Sequence, residues 1–352
     1  MTTIPTPRLT GSEAGMSGRV AGAVLRALRD DTGLTQERFA ERLGVSLTTV
    51  QGWETGRRPL VNARFGEVHR IRRALRTAGA PAAGLAVWDQ ALTADTILGD
   101  IGCPDADTHP LALVVPNRTL TELLAWPLTG VSPRRLPGAH LHIGAGEQNQ
   151  LAAELRAVVE TAPDGVAGAM LRRQAKYLVT AHRPSHEWLA AVTARDLRTA
   201  RDLRDWSPQW AVYRSHAVSA SAAGDLDPLR RFIAEGLSTD RDIEANLTYW
   251  AYWVGEIATP WASDHDMLEP DQTWGGGTLL ASLLDGLENA PYADLCAHAL
   301  WALLRHRRSL IDSPTTRTKV AATIDRATAT NTTLSPDATR RLDQVAYLTA
   351  GS

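Results

Sequence analysis

The stretch GVSLTTVQGWETGRRP, Gly44 to Pro59, divides its residues between two faces of one short helix. Gly44 stands where the chain must turn through a positive φ, which a residue without Cβ adopts freely. Ser46 has the hydroxyl that caps a helix N-terminus, and Val50 and Trp53, three positions apart, fall on one face. Gly56 suits the position just past the helix end, and Pro59 prevents its resumption. Leu47, Thr48, Thr49 and Gln51 are left over on the other face, where packing does not require them. Upstream, TGLTQERFAERLG gives a second helix capped by Thr35, with Phe39, Ala40 and Leu43 turned inward. Before it, RVAGAVLRALRDD places Val20, Val24, Leu25 and Leu28 on one face of a first helix.

Two short helices joined by a tight glycine turn form the helix-turn-helix arrangement, whose second helix fits the DNA major groove. The run TQERFAERLGVSLTTVQGWETGRRP (35–59) resembles the Cro/repressor (XRE-type) family of transcriptional regulators. Thr35-Gln36, Ala40, Leu43-Gly44-Val45-Ser46, Val50, Trp53-Glu54, Gly56 and Arg58-Pro59 carry the likeness, which covers about Arg19 to Thr77. It implies a five-helix head bound to double-stranded DNA, with base edges met by Leu47 and Thr48, by Thr49 beside them, and by Gln51 and Gly52 one turn on. Gln51 suits adenine and the methyl groups of Leu47 and the threonines suit thymine, each good contact being worth about 1–3 kcal/mol of discrimination. The resemblance also implies phosphate contacts by Gln36, Ser46, Thr55, Arg57, Arg58 and Asn62, and a buried ion pair between Arg29 and Glu54. Leu47 and Gly52 depart from the polar residues common at these places in phage repressors, so DNA shape is expected to supply part of the specificity.

The charge distribution agrees with a polyanion partner at this end. Residues 1–80 carry 13 Arg against 7 acidic residues, a net +6, whereas the whole 352-residue chain carries −2. All of the 37 basic residues except Lys176 and Lys319 are arginine, as the codon bias of a GC-rich bacterium produces. Cys103 and Cys296 match no metal or redox spacing and read as free thiols in a reducing cytosol. Residues 1–17 read as a flexible tail without a secretion signal, and no apolar run approaches the roughly 18–20 residues that span a bilayer. A cytoplasmic protein without membrane contact is therefore expected. His140 and His142 alternate as on one strand face but have no third ligand at fixed spacing, and TWGGGT (273–278) lacks the strand that precedes a phosphate loop. No cofactor, no metal and no enzymatic activity are expected.

The fold class expected is mainly α. After the head at 18–77, the small-residue stretch TAGAPAAG (77–84) marks a linker at 78–85. Residues 86–145 read as a middle segment of helices with one or two short strands, at LALVV (111–115) and HLHIG (140–144). From 146 to 350, helix pairs are expected near 147–161/166–182, 187–204/208–223, 226–238/240–257, 276–286/290–308 and 314–327/336–348. Their first helices start 40, 39, 50 and 38 residues apart, which suits either a solenoid-like stack or an irregular bundle. Trp206, Trp210, Tyr213, Tyr249, Trp250, Tyr252 and Trp253 offer a candidate ligand surface there, although aromatics at helical spacing more often fill a core. The organisation suggests a homodimeric regulator of an inverted-repeat operator, whose helical domain dimerises and takes a small-molecule or peptide effector. The alternative is a DNA-tethered scaffold for a partner protein.

Overall fold

The structure is a computed structural model describing residues 16–103, 105–113, 115–182, 185–199, 203, 207–257, 267, 269 and 273–350. Most of the expected tail, Trp206 and most of the loop 259–277 lie outside the described residues. The N-terminal helices are α1 (Arg19–Asp31), α2 (Gln36–Leu43), α3 (Leu47–Glu54), α4 (Phe65–Thr77), α5 (Ala82–Gly99), α6 (Pro110–Leu113), α7 (Arg118–Thr129) and α8 (Ala145–Thr161). They are followed by α9 (Val166–Thr180), α10 (His186–Thr199), α11 (Pro208–Ala222), α12 (Asp227–Glu235) and α13 (Asp240–Val254). The last four are α14 (Gly277–Asn289), α15 (Ala293–His306), α16 (Pro314–Thr330) and α17 (Pro336–Ala350). Short 3₁₀ turns occupy Leu60–Asn62 and Arg308–Ile311.

No strand forms among the described residues, which corrects the expectation for the middle segment. The apolar run at 111–115 begins inside the single turn α6. Pro110 has no N–H to leave unpaired there, and the His109 ring accepts the Leu111 N–H at 3.1 Å. HLHIG shows the alternation of a strand, with His140 and His142 exposed and Leu141 and Ile143 half-buried, but it is irregular and leads straight into α8.

The chain divides into two compact units, Met1–Pro163 with Gln174–Ser185, and Asp164–Arg173 with His186–Ser352. In the first unit the segment read as a linker is a short turn over 78–81 followed by the start of a helix. α5 begins at Ala82 and lies along α1 and α7, burying Leu85, Trp88, Ala91 and Ala94. Gly84 is small because a Cβ there would come within 2.6 Å of the Leu28 side chain. Composition alone reads such small residues as a hinge, whereas here they let two helices approach closely. Gly22 on α1 serves the same purpose, since a Cβ would sit 2.3 Å from the carbonyl oxygen of Trp53 at the end of α3.

Asp95, fully buried on α5, closes the start of α1. Its two oxygens accept the Val20 N–H at 3.0 Å and the Ala21 N–H at 2.8 Å. The N-cap of α1 is Gly18, which has no side chain for the purpose, so a neighbouring helix satisfies the exposed donors. In the second unit the principal contacts join each hairpin to the next, from α10/α11 through α12/α13 and α14/α15 to α16/α17, as in a stacked array. The nearly completely buried α15 touches α12, α13, α14 and α17.

Burial pushes the Asp95 carboxyl up to about 7 from 3.8, against the pull of the Ala21, Val20 and Gly18 N–H groups. A raised pKa lends stability that is complete below 3.8 and lost as pH rises through about 7. Hydrogen exchange of the α1 amides, corrected for intrinsic rates, is therefore expected to show protection falling between about pH 5.5 and about pH 8. Asp95→Asn, which cannot titrate, should flatten that slope, and equal slopes in the two proteins would contradict the assignment.

Candidate nucleic-acid interface

Sequence chemistry accounts for the local geometry of α2 and α3. The Thr35 hydroxyl accepts the Arg38 N–H at 3.3 Å, Gly44 turns the chain at φ 67°, and the Ser46 hydroxyl accepts the Thr49 N–H at 3.2 Å. Phe39, Ala40, Leu43, Val50 and Trp53 are buried against Val20, Val24, Leu25 and Leu28 of α1 and against Ile71 and Leu75 of α4 in one small core. Thr48 is left exposed on α3, with Leu47, Thr49 and Gln51 half-buried.

The start of α2 and the end of α3 are tied together under that surface. Arg29 donates from Nε and Nη2 to the two oxygens of Glu54, at 2.6 Å and 3.1 Å, and from Nη1 to the Leu34 carbonyl at 2.7 Å. The side chains are only 6% and 2% exposed, so this is a buried, bidentate pair. Burial works against the Arg29 cation, but its bonds to Glu54 and the nearby charges of Glu54 and Asp30 hold it above its ordinary value. Glu54 also accepts from Gln36 Nε2 at 2.6 Å, and Gln51 Nε2 lies 3.5 Å from Gln36 Oε1. Gln36, Gln51 and Glu54 thus form one line of amides ending on a fixed carboxylate.

Gly52 and Arg58 behave differently from the expectation. Gly52 is buried, because the Arg58 stem lies over it; a Cβ on Gly52 would be 3.1 Å from both Cγ and Cδ of that arginine. The Arg58 N–H donates to the Gly52 carbonyl at 2.9 Å, and Nη1 donates to the Thr49 hydroxyl at 2.9 Å. Arg58 is therefore laid along α3 itself and covers the place where residue 52 would have read. The signal was legible as a glycine inside a helix beside an arginine just past its end, but the sequence did not say that the two meet.

Thr55 and Arg57 are exposed beyond α3, where the Thr55 hydroxyl donates to the Gln51 carbonyl at 2.7 Å and accepts from Arg57 Nε at 3.2 Å. Among the described residues neither Arg57 nor Arg58 has a carboxylate partner, and Ser46 and Asn62 are exposed on the same connections. Arg72 of α4, by contrast, is committed to Asp89. Sequence reasoning missed Phe65, which starts α4 at 81% exposed and stacks on His69 with ring centroids 5.2 Å apart. An exposed aromatic at a helix start has no periodicity to announce it.

The aromatic set of the second unit is interior rather than surface. Trp210, Tyr213, Tyr249, Trp250 and Tyr252 are buried and Trp253 is half-buried. Trp210 donates to the Gly236 carbonyl at 2.7 Å and meets Phe232 edge-on at 4.9 Å. A helix whose aromatics face several ways here packs against α14 and α15 and is bonded to α11 through Asn246 and Arg214, so most of those faces find a neighbour.

Residues 20–87 match the family model described as a helix-turn-helix domain. The match ends inside α5, beyond the expected boundary at Thr77, as the packing of α5 on α1 requires. Compared over its whole length, the chain matches no curated protein and no solved structure. Among the described residues no helix is long and apolar enough to cross a membrane.

Replacing Glu54 by Ala would strand the Arg29 cation in the core, a change that costs about 3–5 kcal/mol, and would release Gln36. We expect Glu54→Ala to lose protection of the α1 and α3 amides in hydrogen exchange, with Glu54→Gln intermediate. Unchanged protection in the alanine variant would show that the pair does not hold the head together.

Proposed function

We propose that the chain is a sequence-specific transcriptional regulator of the XRE type, binding an inverted-repeat operator as a homodimer and taking an effector on its C-terminal helices. The observation that carries this reading is the helix-turn-helix domain whose second helix offers Thr48, Thr49, Leu47 and Gln51 outward, flanked by two arginines that have no carboxylate partner among the described residues. A single head of this size covers little DNA, and its counterion-release affinity falls steeply with salt, so useful specificity calls for two heads on a repeated site.

Base contacts fall to Thr48, Gln51, Leu47 and Thr49, and Arg58 takes the reading place that Gly52 vacates. A guanidinium steadied by the Thr49 hydroxyl suits the O6/N7 edge of guanine. Arg57, Thr55, Ser46, Gln36 and Asn62 face phosphates. For Gln36 the bond to Glu54 leaves one amide hydrogen and shared use of its carbonyl for that contact.

Gel shifts on a selected duplex and on random duplex, over a salt series, separate these roles. Thr48→Ala, Gln51→Ala and Arg58→Ala should each lose about 1–3 kcal/mol of discrimination while random-duplex binding and its salt slope persist. Arg57→Ala should weaken both duplexes alike and reduce the salt slope by about 1. If Arg58→Ala behaved as Arg57→Ala does, Arg58 would be a phosphate contact; if all four variants behaved alike, the division of roles would fail.

A further inference from the structure

Three arginines are buried in the described residues, and two of them have carboxylates. Arg29 pairs with Glu54, and Arg172 pairs with Asp196 at 3.3 Å with both side chains under 5% exposed. Arg214 of α11 is the third. It is 7% exposed, and its one hydrogen bond to the described residues runs from Nε to Asn246 Oδ1 of α13 at 2.8 Å. Its guanidinium carbon lies 4.5 Å from the Tyr249 ring centroid and 5.1 Å from that of Trp250.

A second cation sits on the same phenol. Arg173 of α9 donates from Nη2 to the Tyr249 hydroxyl and from Nε to the Ser215 hydroxyl at 2.7 Å, with its guanidinium carbon 5.5 Å from the Tyr249 ring. Arg173 likewise has no carboxylate partner among the described residues, and being half-buried it keeps the pair in touch with solvent. The other groups facing Arg214 are the Tyr292 phenol and the Cys296 thiol, both neutral in their ordinary state. Two guanidiniums thus converge on one aromatic ring, and neither has a carboxylate partner among the described residues. Ring faces recover only part of what burial costs a cation, and an unpaired buried charge costs more than they return. Burial and the neighbouring Arg173 press the Arg214 cation below its ordinary value, and the two arginines bring the Tyr249 phenol below its own although burial opposes this. Among the described residues the element this cluster lacks is negative charge.

We propose that Arg173 and Arg214 form a binding site for the oxyanion group of a small molecule, a phosphate or a carboxylate, oriented by Asn246 and Ser215 against the Tyr249 and Trp250 rings. Guanidiniums present planar N–H donors that match such groups two bonds at a time, and the unused Arg214 Nη donors are the ones it would engage. The site rests on the reading of the C-terminal helices as the effector-taking part of the regulator and names the chemistry of that effector.

The test titrates the full chain with inorganic phosphate and, separately, with acetate, each against chloride at constant ionic strength, while following tryptophan fluorescence and thermal unfolding. Saturable binding of either probe is expected, and the tighter one identifies the oxyanion. Arg57→Ala should leave the response in place, which separates it from phosphate held by the DNA-reading head. Arg214→Met should abolish it. Should that variant fail to fold by circular dichroism, Arg173→Gln, which alters the half-buried member, should weaken binding about tenfold. No saturable response to either probe, or a response unchanged in the folded arginine variant, would overturn the site. The gel shift on the same preparation is independent: wild-type protein that discriminates between duplexes but ignores both anions refutes this site alone, and the converse refutes the DNA reading alone.

Discussion

The buried pair between Arg29 and Glu54 is the constraint on which the head depends. One carboxylate receives two donors from α1 and one from Gln36 at the start of α2, and it sits on the last residue of α3. Three helices are therefore indexed to a single side chain beneath the outward face of α3. Taking both charges out of water makes the pair a poor source of net stability, but it penalises heavily any arrangement in which they do not meet. Such a contact fixes the position of a short helix more than it strengthens the fold. Its second effect is on Gln51, whose amide is held near Gln36 and so is partly oriented.

A related device holds α1 from the other side. Gly18 offers no cap, and the carboxyl that takes its place comes from Asp95, far along the sequence on α5. Together with the close approaches at Gly22 and Gly84, this makes α5 part of the head. The helix-turn-helix thus rests on α1 to α5, with α3 meeting α1 at backbone distance.

Much of this was legible in GVSLTTVQGWETGRRP and the residues before it. Thr35, Gly44, Ser46 and Gly56 each serve a local backbone need that leaves a mark at fixed spacing, and the positive φ values at Gly44 and Gly56 are the physical form of that mark. The helix pairs after residue 146 were legible because amphipathic periodicity is also local. Apart from the Arg29–Glu54 pair, which the family resemblance implied, what the sequence concealed was the relations between distant residues. Ala and Gly at 77–84 look alike whether they bend or pack, so α5 read as lying beyond a linker. LALVV read as a strand because its apolar content cannot separate a buried turn from a buried strand. Gly52 read as a contact position because nothing local shows that Arg58 lies over it. The aromatics of α11 and α13 read as a candidate ligand surface or a core, and burial by neighbours far away in sequence decides for the core.

The central claim is that the face of α3, with Arg58 laid across Gly52, reads DNA sequence. Selection from a pool of random duplexes by the full-length protein at moderate salt tests it most directly. The account predicts enrichment of one sequence in two inverted copies whose centres lie about one helical turn, roughly 10 base pairs, or a multiple of it apart. A pool that emerges with no sequence enriched over its starting composition would contradict it.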